Sequence, residues 1–332
     1  MRKTIVPFIA LALSLAAGSA AEVKYKADPA KVLDPDKACA ECHKPEMNAW
    51  QTSHHFLSFN AGVDGKKPMH RSDEAKAILK KLVDAKVLDK RQGRSAKGGI
   101  CVQCHYTGQA SSSGRIRSIA GVSCESCHGA AKDWIETHRK EPKDYAAAEA
   151  KGMIRPRNVY AVAANCFTCH TVPYEDLINK GGHTAGSAFE LVSWSQGEVR
   201  HTLRDSEGKL NVAATPDRKR ELYVVGRLLD LEYSLRALAT ATGGGTYADA
   251  MTKRVNDALG KVKELEGKGI AAGVAGAVSA GELKAGNEAK LTAMADDVAA
   301  KSKAVITAAK WDSLGAVDGL IPTETKGKAY AP

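Results

Sequence analysis

Beyond its first twenty or so residues the chain has no apolar run long enough to cross a bilayer, which would take about 20 predominantly apolar residues. It has no cysteine left over for a disulfide, because all eight fall into four pairs of one form. From residue 215 onward it has neither cysteine nor histidine, so chemistry that needs those residue types is confined to what comes before. Aromatic residues are few, at 5%, which leaves the core short of its usual large fillers.

What is present at the start points to a compartment. Arg2 and Lys3 precede a mostly apolar run from Ile5 to Ala17 and then small residues, the layout of a secretory signal peptide over residues 1–21. Cleavage after Ala20 or Ala21 fits the small-residue rule, and the expected destination is the periplasm or the cell exterior. About 310 residues then remain, enough for one large domain or two medium ones. The formal charge of +10 falls to about +8 when Arg2 and Lys3 leave. An exported protein rarely meets nucleic acid, so the excess is not read as a nucleic-acid site.

The four cysteine pairs are Cys39-Ala-Glu-Cys42-His43, Cys101-Val-Gln-Cys104-His105, Cys124-Glu-Ser-Cys127-His128 and Cys166-Phe-Thr-Cys169-His170. Each reads Cys-x-x-Cys-His, the attachment signature of c-type haem. Two thiols about one helical turn apart add to the two haem vinyl groups, and the next residue sets an imidazole under the iron as proximal ligand. Zinc bound by cysteine pairs and a thioredoxin-like redox site are the rival readings, and both leave the fifth residue of every motif unexplained. Four c-type haems are expected. Their porphyrins would supply the apolar core that the aromatics do not, and their propionates would answer much of the basic excess. Only eighteen residues separate His105 from Cys124, so the second and third sites are expected to be neighbours.

Six histidines lie outside the motifs: His54, His55, His70, His138, His183 and His201. An iron with a second imidazole is saturated and suits electron transfer, whereas an open iron binds small molecules. Residues 36–203 resemble the tetrahaem cytochrome c-554 family, known as electron acceptors of hydroxylamine oxidoreductase. Trp50-Gln-Thr-Ser-His-His55 resembles that family's Trp-x-x-x-x-His, and Gly121-Val-Ser-Cys-Glu-Ser-Cys-His-Gly129, with His138 downstream, is its most specific stretch. His201 trails the fourth motif at about the family's interval for its last distal ligand. The resemblance implies three irons with two histidines, pairing His43 with His138, His128 with His55 and His170 with His201, and an open iron over His105. The chain departs from the family at Gly181-Gly182-His183, so His183 is a further distal candidate that could close the second haem. His54 and His70 are read as non-ligands, His70 because it adjoins a Gly/Lys/Pro-rich turn.

The expected fold is mostly α. A multihaem cytochrome c module of helices and loops spans residues 22–213, and an antiparallel helical bundle spans 214–332. In the first part a helix is expected over Asp73–Asp89 with Ala75, Ile78, Leu79, Leu82 and Val83 on one face, and a shorter one over Lys143–Lys151. Arg155-Pro-Arg157 reads as an extended lead into the fourth motif. In the second part helices are expected from Thr215-Pro216 to Gly243, with a stripe of Leu222, Val225, Leu228, Leu229 and Leu235, then over Tyr247–Glu266 and Gly281–Lys310. The bundle is read as a cap on the haem module or an oligomerisation element, and 269–281 as linker.

The expected function is electron relay between exported redox proteins as donor and acceptor, with a hydroxylamine oxidoreductase-like enzyme as the donor that the resemblance implies. Two alternatives stand beside it. One is an enzyme acting on a small nitrogen compound such as nitric oxide at an open iron over His105. The other is a subunit of an extracellular haem filament, in which a spare histidine such as His54 or His183 ligates a neighbour's iron.

Overall fold

The structure, a computed structural model, describes residues 25–332 except 63, 64, 66, 96 and 98. The expected signal peptide lies outside the described residues. The chain is mostly helical. Short helices α1 (Pro35–Ala38), α2 (Lys44–Gln51) and α3 (His54–Leu57) follow one another around the first motif. The longer α4 (Asp73–Asp84) is capped by Ser72, whose hydroxyl accepts from the Ala75 amide at 3.1 Å, and carries Asp73 and Glu74 in its first turn. It buries Ala75, Leu79 and Leu82, while Ile78 and Val83 are half-buried. The helix stops five residues short of the expected end, at a left-handed turn in which Lys86 has φ 57°.

The second and third motifs are joined by a hairpin that the sequence reading did not anticipate. After α5 (Val102–His105), strands β1 (Thr107–Ala110) and β2 (Ile116–Ala120) pair antiparallel, with a register irregularity between Thr107 and Gly108. Ser111–Gly114 is the tight connection, closed by Ser111 N–H donating to the Arg115 carbonyl at 2.9 Å. The hairpin returns the chain directly into α6 (Cys124–His128).

Two further short helices follow, α7 (Ile135–Arg139) and α8 (Tyr145–Ala150). Asp144 caps α8 through the Ala147 amide at 2.9 Å, so that helix starts later than Lys143. The approach to the fourth motif is helical rather than extended. Asn158 accepts from the Ala161 amide and opens α9 (Val159–His170), which ends on the motif histidine. The Pro156 ring governs only the residues beside it, and the cap just beyond is the local signal.

Beyond α10 (Glu175–Asn179) and α11 (Leu191–Ser195) come the long helices α12 (Pro216–Ala239), α13 (Thr246–Gly267) and α14 (Glu288–Ala308). Thr215 caps α12 and Pro216 occupies its first turn. The expected stripe is buried along it. Both α13 and α14 pack on α12, which also lies against α9 and α11. The third helix begins at Glu288 rather than Gly281, because short 3-10 turns at Ala275–Ala277 and Ala280–Glu282 occupy the intervening chain. Leu82, Phe167, Leu177, Leu191 and Val192 share one continuous apolar core with Leu228, Leu235, Met251 and Val298. Each such leucine is worth about 1.5–3 kcal/mol when fully buried. The C-terminal helices are therefore fused to the helix bearing the fourth motif.

Candidate functional site

Each motif folds as helical turn, which is what brings its two thiols and its imidazole to one side. His43 N–H donates to the Cys39 carbonyl at 3.0 Å and His43 leads into α2. The second motif runs through a 3-10 turn into α5, the third forms α6, and the fourth is the last turn of α9.

The histidines resolve into four pairs with none shared. His43 faces His138 with ring centroids 6.1 Å apart, His105 faces His183 at 6.4 Å, His128 faces His201 at 6.3 Å, and His170 faces His55 at 6.4 Å. Every pair joins one motif histidine to one histidine outside the motifs. A metal bonded to two imidazoles at about 2.0–2.1 Å, with about 1.1 Å more from each nitrogen to its ring centroid, separates the centroids by about 6.3 Å. The residues therefore fit an iron held between each pair.

Two of the expected pairings are exchanged. His55 stands against His170 rather than His128, and His201 against His128 rather than His170. The reason lies in the interleaved chain: the end of β2 runs past α3, where the Val122 amide donates to the His55 carbonyl at 3.1 Å and Trp50 Nε1–H donates to the Val122 carbonyl at 2.8 Å. Gly121 makes this approach possible, since a Cβ there would lie 2.0 Å from the His55 carbonyl oxygen. The Ser58 hydroxyl sits 2.8 Å from the His55 carbonyl and 2.7 Å from that of His105. His55 is thus anchored beside the second motif and turned towards the fourth.

Second hydrogen bonds orient the rings. Nδ1 of His128, His183 and His201 donates to the carbonyls of Ile154 (2.9 Å), Thr184 (2.8 Å) and Val199 (2.7 Å). A carbonyl only accepts, so each of these rings carries its proton on Nδ1 and keeps the Nε2 lone pair for a metal. His170 Nδ1 bonds the Ser187 hydroxyl at 2.9 Å. Burial, then the neighbouring His183 and His55, hold His105 down at about 4, and burial, then His55, does the same for His170. Both are neutral and ligand-ready at ordinary pH. His54 instead hydrogen-bonds the buried Glu198 carboxylate at 2.6 Å, and His70 lies among Phe59 and Tyr106; neither faces a motif histidine.

The motifs meet in a definite spatial order. The thiols of Cys39 and Cys124 lie beside one another, which pushes Cys39 up from its ordinary value and pulls Cys124 down. Cys104 and Cys169 do likewise, with Cys104 pushed up and Cys169 pulled down to about 7. Thioether formation would remove these titrations and leave the proximity. Asn165 Nδ2–H donates to the Cys127 carbonyl at 2.8 Å, tying the third motif to α9. Thiol neighbours run from the first motif to the third and from the fourth to the second. The antiparallel hairpin returns the chain beside its start, where the Thr107 hydroxyl lies 3.0 Å from that of Ser123 and 3.1 Å from that of Ser126, so the second and third motifs are also neighbours, as the short His105–Cys124 segment implies.

Two residues near the motifs carry no local sequence signal. Lys26 is half-buried beside Cys169, Cys127, Cys166 and Cys104, and its ammonium donates to the Thr168 hydroxyl at 2.9 Å. Burial lowers its pKa. The Glu125 carboxylate accepts from the amides of Leu33 (3.0 Å) and Ala131 (2.7 Å), and burial pushes it up to about 7.

Comparison with known proteins covers this same region. The family described as Cytochrome c554 and c-prime matches residues 38–129. The chain is 31% identical over 165 residues to cytochrome c-554 of Nitrosomonas europaea, a match covering 46% of this chain and 63% of that protein. The chain thus spans less than two thirds of that relative's length. No solved structure matches. Over the matched segment, the chain is similar to the cytochrome c-554 family.

Proposed function

We propose that the protein is an exported tetrahaem c-type cytochrome that relays electrons between redox proteins in the periplasm or outside the cell. The observation that carries this reading is the continuous chain of four attachment motifs, with thiols of the first and third in contact and those of the second and fourth in contact. Haem, once attached, supplies a one-electron iron couple, while ligation, packing and exclusion of water fall to the protein.

The residues divide that work. Cys39, Cys42, Cys101, Cys104, Cys124, Cys127, Cys166 and Cys169 would hold the haems, and His43, His105, His128 and His170 would be the proximal ligands. His138, His201 and His55 would be distal ligands for the first, third and fourth sites. Lys26 sets a positive charge between the third and fourth motifs. Among the described residues no helix is long and apolar enough to cross a membrane.

The donor that the resemblance implies is an enzyme of the hydroxylamine oxidoreductase type. Against a filament built by ligand sharing, the two histidines named for it are both engaged, His54 by Glu198 and His183 opposite His105.

The test is a redox titration of the purified protein followed by visible spectra. Uptake of four electrons per chain by haem-type absorption is expected; fewer would contradict four sites in relay.

A further inference from the structure

The second motif is where a family open site and a closed one diverge, and the fold is specific there. His183 follows α10 in a turn that two glycines permit. Gly182 has φ 76°, and a Cβ on Gly181 would lie 2.5 Å from the Leu177 carbonyl oxygen. The His183 amide donates to that same carbonyl at 3.1 Å, and its Nδ1–H donates to the Thr184 carbonyl. Backbone and ring are therefore both fixed, with Nε2 free. The His105–His183 separation of 6.4 Å falls within the 6.1–6.4 Å of the other three pairs.

The C-terminal helices brace this turn. At one end of α10, Glu175 accepts from the Thr242 amide (2.9 Å) and hydroxyl (2.7 Å). At the other, the Asn179 side-chain oxygen accepts from the Tyr247 amide at the start of α13 (2.9 Å). Leu177 and Ile178 enter the shared core between them.

We infer that His183 is the second axial ligand of the iron on the Cys101–His105 motif, held there by α13 and the α12–α13 turn, so that this chain has no open iron. The inference rests on the tetrahaem reading and deepens it: the second site is a relay element, and small-molecule chemistry over His105 has no vacant position to use. It also gives the C-terminal helices, which carry no cysteine or histidine of their own, a task in the haem module.

The test is electron paramagnetic resonance of the oxidised holoprotein, with and without nitric oxide, on the native chain and on His183→Gly. The haem count, by alkaline pyridine spectra, is taken on the same samples and checks the tetrahaem reading separately. Four low-spin irons indifferent to nitric oxide are expected natively. His183→Gly should show one high-spin iron in four that binds nitric oxide and returns to low spin on adding imidazole. A native high-spin iron, or a His183→Gly protein that stays wholly low-spin, overturns the assignment even when four haems are counted. The double variant Glu175→Ala/Asn179→Ala should show a partial high-spin fraction. Its absence overturns the bracing role.

Discussion

His55 and His170 face one another with ring centroids 6.4 Å apart, although His55 follows the first motif and His170 belongs to the fourth. No spacing rule links the two. The contact exists because β2 carries the chain past the His55 backbone and α9 delivers His170 to the same place.

This pairing predicts where each distal substitution acts. His55→Ala should free the iron of the fourth site and His201→Ala that of the third. With the fourth haem removed by Cys166→Ala/Cys169→Ala, the His55 substitution should add no high-spin signal, whereas His201→Ala still should. An added signal from His55→Ala in that background would return the pairing to His128.

Gly121 is the hinge of the arrangement. Its alanine variant places a Cβ 2.0 Å from the His55 carbonyl oxygen, so backbone must move. A loss of about 1–3 kcal/mol in unfolding free energy is expected, together with a high-spin fraction from the displaced His55. Denaturant titration and the resonance spectrum check the two parts. An unchanged variant would mean that β2 does not set the ligand.

Lys26 carries a charge into the midst of the third and fourth motifs. A nearby cation favours the reduced iron, so Lys26→Met should lower the potentials of those two haems by about tens of millivolts and leave the first least altered. Spectroelectrochemistry reads this directly. Equal shifts in all four would contradict the placement.

Glu125 gives a pH dependence. Burial raises its folded pKa to about 7, above an unfolded value of about 4.3. A raised carboxylate contributes stability that is full below the unfolded pKa and is lost as pH rises through the folded one. Glu125→Gln should therefore gain on the native protein as pH goes from about 4.3 to 7 and hold a constant difference above. Melting curves at several pH values would show a difference opposite in sign, or flat, if Glu125 is ionised throughout.

Much of this was legible in sequence, and the reasons differ by element. The attachment motifs announce themselves because covalent chemistry fixes both residue type and spacing. α4 and α12 show their buried faces through helical periodicity and their starts through Ser72 and Thr215. The β1–β2 hairpin escaped because strands of four and five residues carry little alternation. α9 escaped because Pro156 drew the reading and the Asn158 cap just beyond it did not. The distal partners of His128 and His170 were exchanged for a deeper reason: which imidazole meets which depends on how separate segments cross, and nothing local to His55 or His201 encodes that crossing. Lys26 is beyond local reading for the same cause.

The central claim is that all eight cysteines carry haem, and intact-protein mass spectrometry of the exported, purified chain tests it most directly. The account predicts a mature chain beginning after Ala20 or Ala21 with four haem masses added and no thiol open to alkylation. A protein of lower mass with alkylatable cysteines, or one holding zinc in place of haem, would contradict it.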